Sequence, residues 1–296
     1  LRVQEGLAGV GCVGLDIDWD HGVLVDSDGR ARTWGEGKYG KLGHGSEDDV
    51  AAPQVIGSLS TECIVSVSAG GEHTIVLTGA GVVYAFGDNE FGQLGLGNDV
   101  ESAEVPRQVE IDSVKSICAG DHHTVAITGQ GSLWSWGDSS FGQLGCGDIN
   151  YRYLPTAVAS TAQLTVKQVV AGSMCTLLID ADKFIWTAGR LYFRGPESNS
   201  FIRIESPLSF VQVSCKPEHA LAVTTDGGLC SWGSGRDGKL GHGDKTAVAE
   251  PKQVQLLRDV PIARAAAGHA SSLALAHNWR ICFMCSSKLI IQHCTP

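Results

Sequence analysis

The chain has 296 residues and a formal net charge of −10, from 22 Lys+Arg against 32 Asp+Glu. No clustered basic run occurs, which excludes nucleic-acid binding by a phosphate-neutralising patch. No apolar run reaches about 18 residues and no leader pattern opens the chain, so neither a membrane span nor a secretory signal is read. The ten cysteines are scattered through strand-like apolar stretches, as around Cys118, and read as buried free thiols in a reducing compartment. An intracellular protein follows, in cytoplasm or nucleus, with the cytoplasm ahead.

In chain order, the same unit recurs. A His or Cys is followed thirteen residues later by an aromatic or Ala, in the pairs His21/Trp34, His73/Phe86, His123/Trp136, Cys175/Ala188 and His219/Trp232. Each copy reads as a strand ending in Ala-Gly-x-x-His-Thr or a variant, then a glycine turn, then a short apolar strand ending in the aromatic and Gly. A glycine-rich loop comes next, as in WGEGKYGKLGHG from Trp34, FGDNEFGQLGLG from Phe86, WGDSSFGQLGCG from Trp136 and WGSGRDGKLGHG from Trp232. Pro53, Pro106, Pro155, Pro207 and Pro251 close the copies. Alternating apolar and polar residues between turns, with no sustained helical period, predict an all-β chain.

Short strands in units of about fifty residues predict a β-propeller of four-stranded antiparallel blades, because one small sheet cannot bury both faces while stacked blades bury one another's. About six blades are expected, with residues 1–285 as one propeller domain and 286–296 as a divergent tail. Trp34, Phe86, Trp136 and Trp232 are expected to fill the spaces between blades. Leu42, Leu94, Leu144 and Leu240 would anchor the loops to the same core. Gly43, Gly95, Gly145 and Gly241 mark positions of positive φ or close backbone approach.

Gly-Gln-Leu-Gly-x-Gly together with Ala-Gly-x-x-His-Thr resembles the regulator of chromosome condensation repeat family, over about Val13 to Leu275. The resemblance implies a seven-bladed propeller, of which this chain would be an incomplete or reduced member. Three departures support that reading. The fourth copy lacks Gly-Gln-Leu-Gly and reads WTAGRLYFRGPESNS, and the interval from Pro207 to His219 is short. The sixth copy starts as AAGHASSLALA and then leaves the pattern, although Ile281, Phe283 and Met284 suit a strand. If the first strand closes the ring, Val10 to Val25 would complete the blade begun by Ala265 to Leu275.

GEGKYG at Gly35 and GSGRDG at Gly233 match a dinucleotide fingerprint, but that pattern works only between a strand and a helix, and the equivalent copies read GDNEFG and GDSSFG. Cys282, Cys285, His293 and Cys294 could be drawn as a zinc site, yet a single C-x-x-C is weak evidence for one. No catalytic residue, cofactor or metal is assigned. Histidines present in nearly every unit read first as architecture, capping a turn or bridging to the adjacent blade. The resemblance adds a second role, since histidines in this slot of the family's exchange factor lie on the face that engages a small GTPase. It carries over to His73 and His123, and less securely to His21 and His219.

The function expected is a non-catalytic protein–protein interaction platform, using one rim of the propeller to dock a protein partner, with Glu47, Asp48 and Asp49 as an acidic rim suited to a basic partner. The alternative, implied by the resemblance, is guanine-nucleotide exchange on a Ran-like small GTPase. A more remote one is ultraviolet-B reception, also from a family likeness. There the tryptophans sit in Gly-Trp-Arg-His-Thr segments, whereas here only Trp19 holds the slot and Asp20 replaces the arginine.

Overall fold

A computed structural model describes residues 11–191, 197–277, 280–285 and 288–293. Among them are six four-stranded antiparallel sheets, each a meander in chain order, which makes the chain a six-bladed member of the β-propeller class. The first blade is β1 (Cys12–Ile17), β2 (His21–Asp26), β3 (Ala31–Gly35) and β4 (Val50–Val55). The second is β5 (Ile64–Ala69), β6 (His73–Thr78), β7 (Val83–Asp88) and β8 (Ser102–Val109), and the third β9 (Val114–Ala119), β10 (His123–Thr128), β11 (Leu133–Gly137) and β12 (Arg152–Ala157). The fourth comprises β13 (Val166–Ala171), β14 (Cys175–Asp180), β15 (Ile185–Arg190) and β16 (Glu197–Arg203). The fifth is β17 (Phe210–Lys216), β18 (His219–Thr224), β19 (Leu229–Gly233) and β20 (Val248–Gln253). The sixth is β21 (Ile262–Ala267), β22 (Ser272–Ala276), β23 (Arg280–Cys285) and β24 (Lys288–His293).

The register explains the thirteen-residue offset. His73 pairs with Gly87 and Thr74 with Phe86 across one tight hairpin, and the same pairing recurs as His123 with Gly137 and Thr124 with Trp136. The Ala-Gly-x-x-His-Thr motif begins at a strand end, as at Ala69 and Ala119, but extends beyond it. It is the turn between a blade's first two strands, with His and Thr opening the second. The first two strands also stay in their own blade: β1 pairs with β2, while the sixth blade is completed by β23 and β24. The expectation that Val10 to Val25 complete the blade of Ala265 to Leu275 is therefore corrected. Lys288–His293, inside the segment set apart as a tail, is the fourth strand of that blade.

Second strands form the interior. Every residue of β2, β6, β14 and β18 is buried. Fourth strands lie at the sheet edges, and four of them carry the recurring proline, Pro53, Pro106, Pro155 and Pro251, where a missing N–H interrupts no inner ladder. The chain divides into two compact units, Leu1–Ser140 with Asp148–Gln163, and Phe141–Gly147 with Leu164–Pro296. One apolar cluster of the first unit runs from Val25 through Ile75 and Phe86 to Trp136. In the second unit, Leu177, Phe210 and Trp232 belong to one cluster and Leu221, Ile262 and Met284 to another.

Within each unit, glycine loops pack on the following blade. Gly43 and Gly95, at φ of 76° and 72°, are positions L side chains rarely adopt, and a Cβ there would lie 2.9 Å from Phe86 and from Trp136. The fourth and sixth blades lack the aromatic, and other side chains take its place. Phe201, from β16, fills the space over Gly145 that Ala188 leaves, and Met284 stands over Gly241. Leu42, Leu94, Leu144 and Leu240 are at most 1% exposed.

Candidate functional site

A meander places the turn between strands one and two on the same rim as the loop between strands three and four. The rim of the first unit is therefore built from the His-slot turns and the glycine loops together.

Beneath this rim runs a hydrogen-bonded relay. Thr74 Oγ1 donates to the Lys41 carbonyl at 2.8 Å, so it accepts from His21 Nε2 at 3.0 Å. Thr124 repeats this with the Gln93 carbonyl and His73, and Ser272 with the Lys239 carbonyl and His219. A hydroxyl has one proton, and spending it on the carbonyl makes Nε2–H the donor in each pair; in His73 and His219 the ring is also neutral. Burial agrees, pushing His73 and His219 down to about 3 and His123 to about 4. The rings of His73 and His123 are fully buried, so they offer a partner no surface and act as ties inside the fold. His73 also accounts for the glycine three residues before it, since a Cβ on Gly70 would fall 2.3 Å from its ring.

Above the relay, Lys41 stands in a cage of three carboxylates, with Nζ 2.9 Å from Asp20, 2.8 Å from Glu36 and 2.7 Å from Glu72. Its side chain is wholly buried while the carboxylates remain partly exposed, and the three hydrogen bonds raise its pKa above the usual lysine value despite desolvation. His21 and Lys41 hold Asp20 well below the usual carboxylate range. Asp20, Glu36 and Glu72 present the acidic grouping that a metal ion would seek, but the cation they hold is this ammonium. In the fifth blade Lys239 reaches Glu218 at 2.9 Å and the His269 carbonyl at 3.3 Å. In the second blade, where glutamine replaces lysine, Gln93 Nε2 donates to Asp88 at 2.7 Å.

The exposed part of the rim is acidic and aromatic. Trp19, Asp20, Gly71, Glu72, Asp121 and His122 line one concavity, and Trp19 is 63% exposed. Beside it the Phe91 ring stands 5.0 Å from His122 and edge-on, 5.5 Å, to Tyr151. Glu47, Asp48 and Asp49 are exposed and lie against the loop that carries Glu36: Asp49 accepts from the Gly37 N–H at 3.0 Å, and a Cβ on Gly37 would sit 2.1 Å from the Asp48 carbonyl. The structure thus brings the acidic loop and the carboxylate cage to one rim and leaves the two histidines beneath it. Sequence reading missed Lys41, Asp20 and Glu72. Their signal is the lysine at 41 and 239, where other loops have glutamine, accompanied by an acid just before a slot histidine.

Of the zinc grouping considered from sequence, Cys282 is buried, while the side chains of Cys285 and His293, and Cys294 altogether, lie outside the described residues. The two Gly-x-Gly-x-x-Gly matches end in single 3₁₀ turns, Lys38–Gly40 and Arg236–Gly238. No described helix is long and apolar enough to cross a membrane.

The family model described as RCC1-like domain matches residues 2–277. The chain is 32% identical to human E3 ubiquitin-protein ligase HERC2 over 92% of its own length and 5% of the ligase. It is 31% identical to the Arabidopsis thaliana ultraviolet-B receptor UVR8 over 88% of its own length and 62% of the receptor. It thus spans less than two thirds of either relative. Among solved structures, Prp20p from Saccharomyces cerevisiae, described with its binding to Gsp1p and histones, superposes with a TM-score of 0.78 at 23% identity, covering 88% of this chain and 67% of that one. The last likeness concerns the fold.

Proposed function

The chain belongs to the RCC1-like domain family, and on that premise we propose that it is a protein-docking platform whose contact surface is the acidic, aromatic rim of the first unit. The observation that carries this reading is Trp19, a large apolar side chain 63% exposed at the mouth of a concavity that Asp20, Glu72 and Asp121 also line. Exposed tryptophan beside carboxylates suits a cationic side chain, which stacks on the ring and pairs with the acid. Glu47, Asp48 and Asp49 widen the same negative surface and favour rapid encounter with a basic partner. The rim loops are free to differ between copies, because the relay beneath them holds the blades together.

The test is affinity capture from cell lysate with the wild-type chain and with Trp19→Ala/Asp121→Lys, neither position being part of the lysine cage. Loss of the captured proteins at an unchanged melting temperature supports the rim. Equal capture by both chains rejects it.

Nucleotide exchange on a Ran-like GTPase is the second reading, favoured by the shared fold with Prp20p, which is described as binding Gsp1p. Release of labelled GDP from a panel of small GTPases tests it, and no acceleration at saturating chain removes it. Ultraviolet-B reception has little support from this rim, where Trp19 stands in a slot held elsewhere by Gly71 and Asp121.

A further inference from the structure

The glycine loops of the first and fifth blades are each seated between two walls. One is a hydroxyl on the third strand of the same blade: Thr33 Oγ1 donates to the Leu42 carbonyl at 2.6 Å, and Ser231 Oγ to the Leu240 carbonyl at 2.6 Å. With that proton spent, the same oxygens accept from His44 Nε2 at 3.0 Å and from His242 Nε2 at 3.1 Å. The other wall is a side chain of the following blade, Phe86 over Gly43 and Met284 over Gly241. Both loops read Gly-Lys-Leu-Gly-His-Gly, at residues 40–45 and 238–243. Such a seat takes a leucine side chain, its carbonyl and a histidine two residues on.

The fourth blade keeps the seat and lacks the loop. Thr187 holds the position of Thr33 and Ser231, pairing with Leu177 as they pair with Val23 and Leu221. Yet β15 ends at Arg190 and β16 begins at Glu197, whereas β19 ends at Gly233 and β20 begins only at Val248. Thr187 and the following blade's Trp232 line a cavity of about 240 Å³, together with Leu191, Ile202, Ile204 and Ala249. Thr187 is 4% exposed, and among the described residues its hydroxyl has no hydrogen-bond partner. A buried hydroxyl left unpaired is costly, so its place beside an apolar cavity points to a ligand group that pairs with it.

The neighbouring strand agrees. Ile202, paired with Thr187, is 37% exposed and apolar, where Thr33 and Ser231 pair with the polar Gln54 and Lys252. Ile204 is only partly buried, although Ile56 and Val254, which make the same backbone bond to the start of the third strand, are each 1% exposed.

We propose that this cavity is a peptide-binding site, taking a leucine of a partner protein with its side chain against Trp232 and its carbonyl on the Thr187 hydroxyl. The occupant has the Leu-Gly-His order of the chain's own loops. Leucine fills the apolar space, glycine clears the indole, and histidine donates to the Thr187 oxygen. At about 240 Å³ the cavity admits one residue rather than a drug-sized ligand. Glu205 and Glu250 at its edge outnumber Arg203, whose guanidinium lies over Phe184 at 3.5 Å. They favour a basic residue before the leucine, where both loops carry lysine. The site belongs wholly to the second unit and is independent of the acidic rim of the first.

Isothermal titration calorimetry of the 296-residue chain with acetyl-Gly-Lys-Leu-Gly-His-Gly-amide, carried to millimolar peptide, tests this. The wild type should bind saturably, one peptide per chain. Alanine in place of the peptide's leucine should weaken binding about tenfold or more, the loss of a buried aliphatic side chain. Thr187→Val keeps the shape and removes the hydroxyl. It should weaken binding about three- to tenfold and leave the melting temperature unchanged, since no internal bond is lost. Ile202→Asp, at the exposed strand, repeats the measurement should Thr187→Val lose its β circular-dichroism spectrum. No saturable heat with the wild type, equal affinity for the two peptides, or a variant that binds as the wild type does would each overturn the proposal.

Discussion

The junction between the first and second blades and that between the fourth and fifth perform the same mechanical task with opposite chemistry. In the first, the His21 ring, the Thr74 hydroxyl and the Lys41 carbonyl form a buried hydrogen-bonded chain from one blade to the next. In the second, Cys175 and Ala220 are both fully buried, and neither asks for a hydrogen bond. Removing both members of a polar pair is close to neutral, whereas removing one strands the other in a dry interior. The repeat tolerates the change at the fourth blade because histidine, threonine and loop were lost together.

Acid should break the comparison most severely. His73, His123 and His219 have folded pKa values of about 3 to 4, below the unfolded value of about 6.5, so the folded state binds fewer protons between those limits. Their contribution is complete above pH 6.5 and is lost as pH falls toward 4, with a slope approaching about 1.4 kcal/mol per pH unit for each ring. Melting temperature against pH should be flat at neutrality and drop steeply below it.

Phe201→Ala should cost about 3 to 4 kcal/mol in denaturant unfolding, a core-aromatic loss, although this phenylalanine lies outside the repeat's aromatic slot. A cost below about 1 kcal/mol would mean that Gly145 does not depend on it. Thr124→Val strands the His73 N–H and should cost about 2 kcal/mol. The double change His73→Cys/Thr124→Ala, which copies the apolar junction, should cost less than that single one and remove one of the three acid slopes. Lys41→Gln, copying the second and third blades, should cost about 1 kcal/mol, since the carboxylates it leaves are partly exposed and can be solvated.

Strands, turns and the membership of a repeat family were legible because they are local. Each thirteen-residue offset is one hairpin, and each Gly-x-Leu-Gly loop declares itself by its glycines. What escaped lies between copies. The acceptor for His21 is Thr74, one repeat away, and in sequence Thr74 looks like the companion of His73 beside it. Phe201 and Met284 were invisible as substitutes for the missing aromatic because they arrive from another strand or as another residue type. For the candidate site, the acidic loop Glu47–Asp49 could be named but not its neighbours. Nothing in the linear order says that Asp20, Glu36 and Glu72 meet around one lysine.

The edge prolines bear on how this protein fails. A β-edge grows by offering unpaired N–H groups to an incoming chain, and Pro53, Pro106, Pro155 and Pro251 interrupt that offer on four blades. The outer strands of the fourth and sixth blades, Glu197–Arg203 and Lys288–His293, have no proline, and the latter reads Lys-Leu-Ile-Ile-Gln-His. Fibrillar growth in a concentrated or heat-stressed preparation should therefore begin at these two strands, and a single proline or lysine placed in the Leu-Ile-Ile stretch is the change that would lengthen its shelf life.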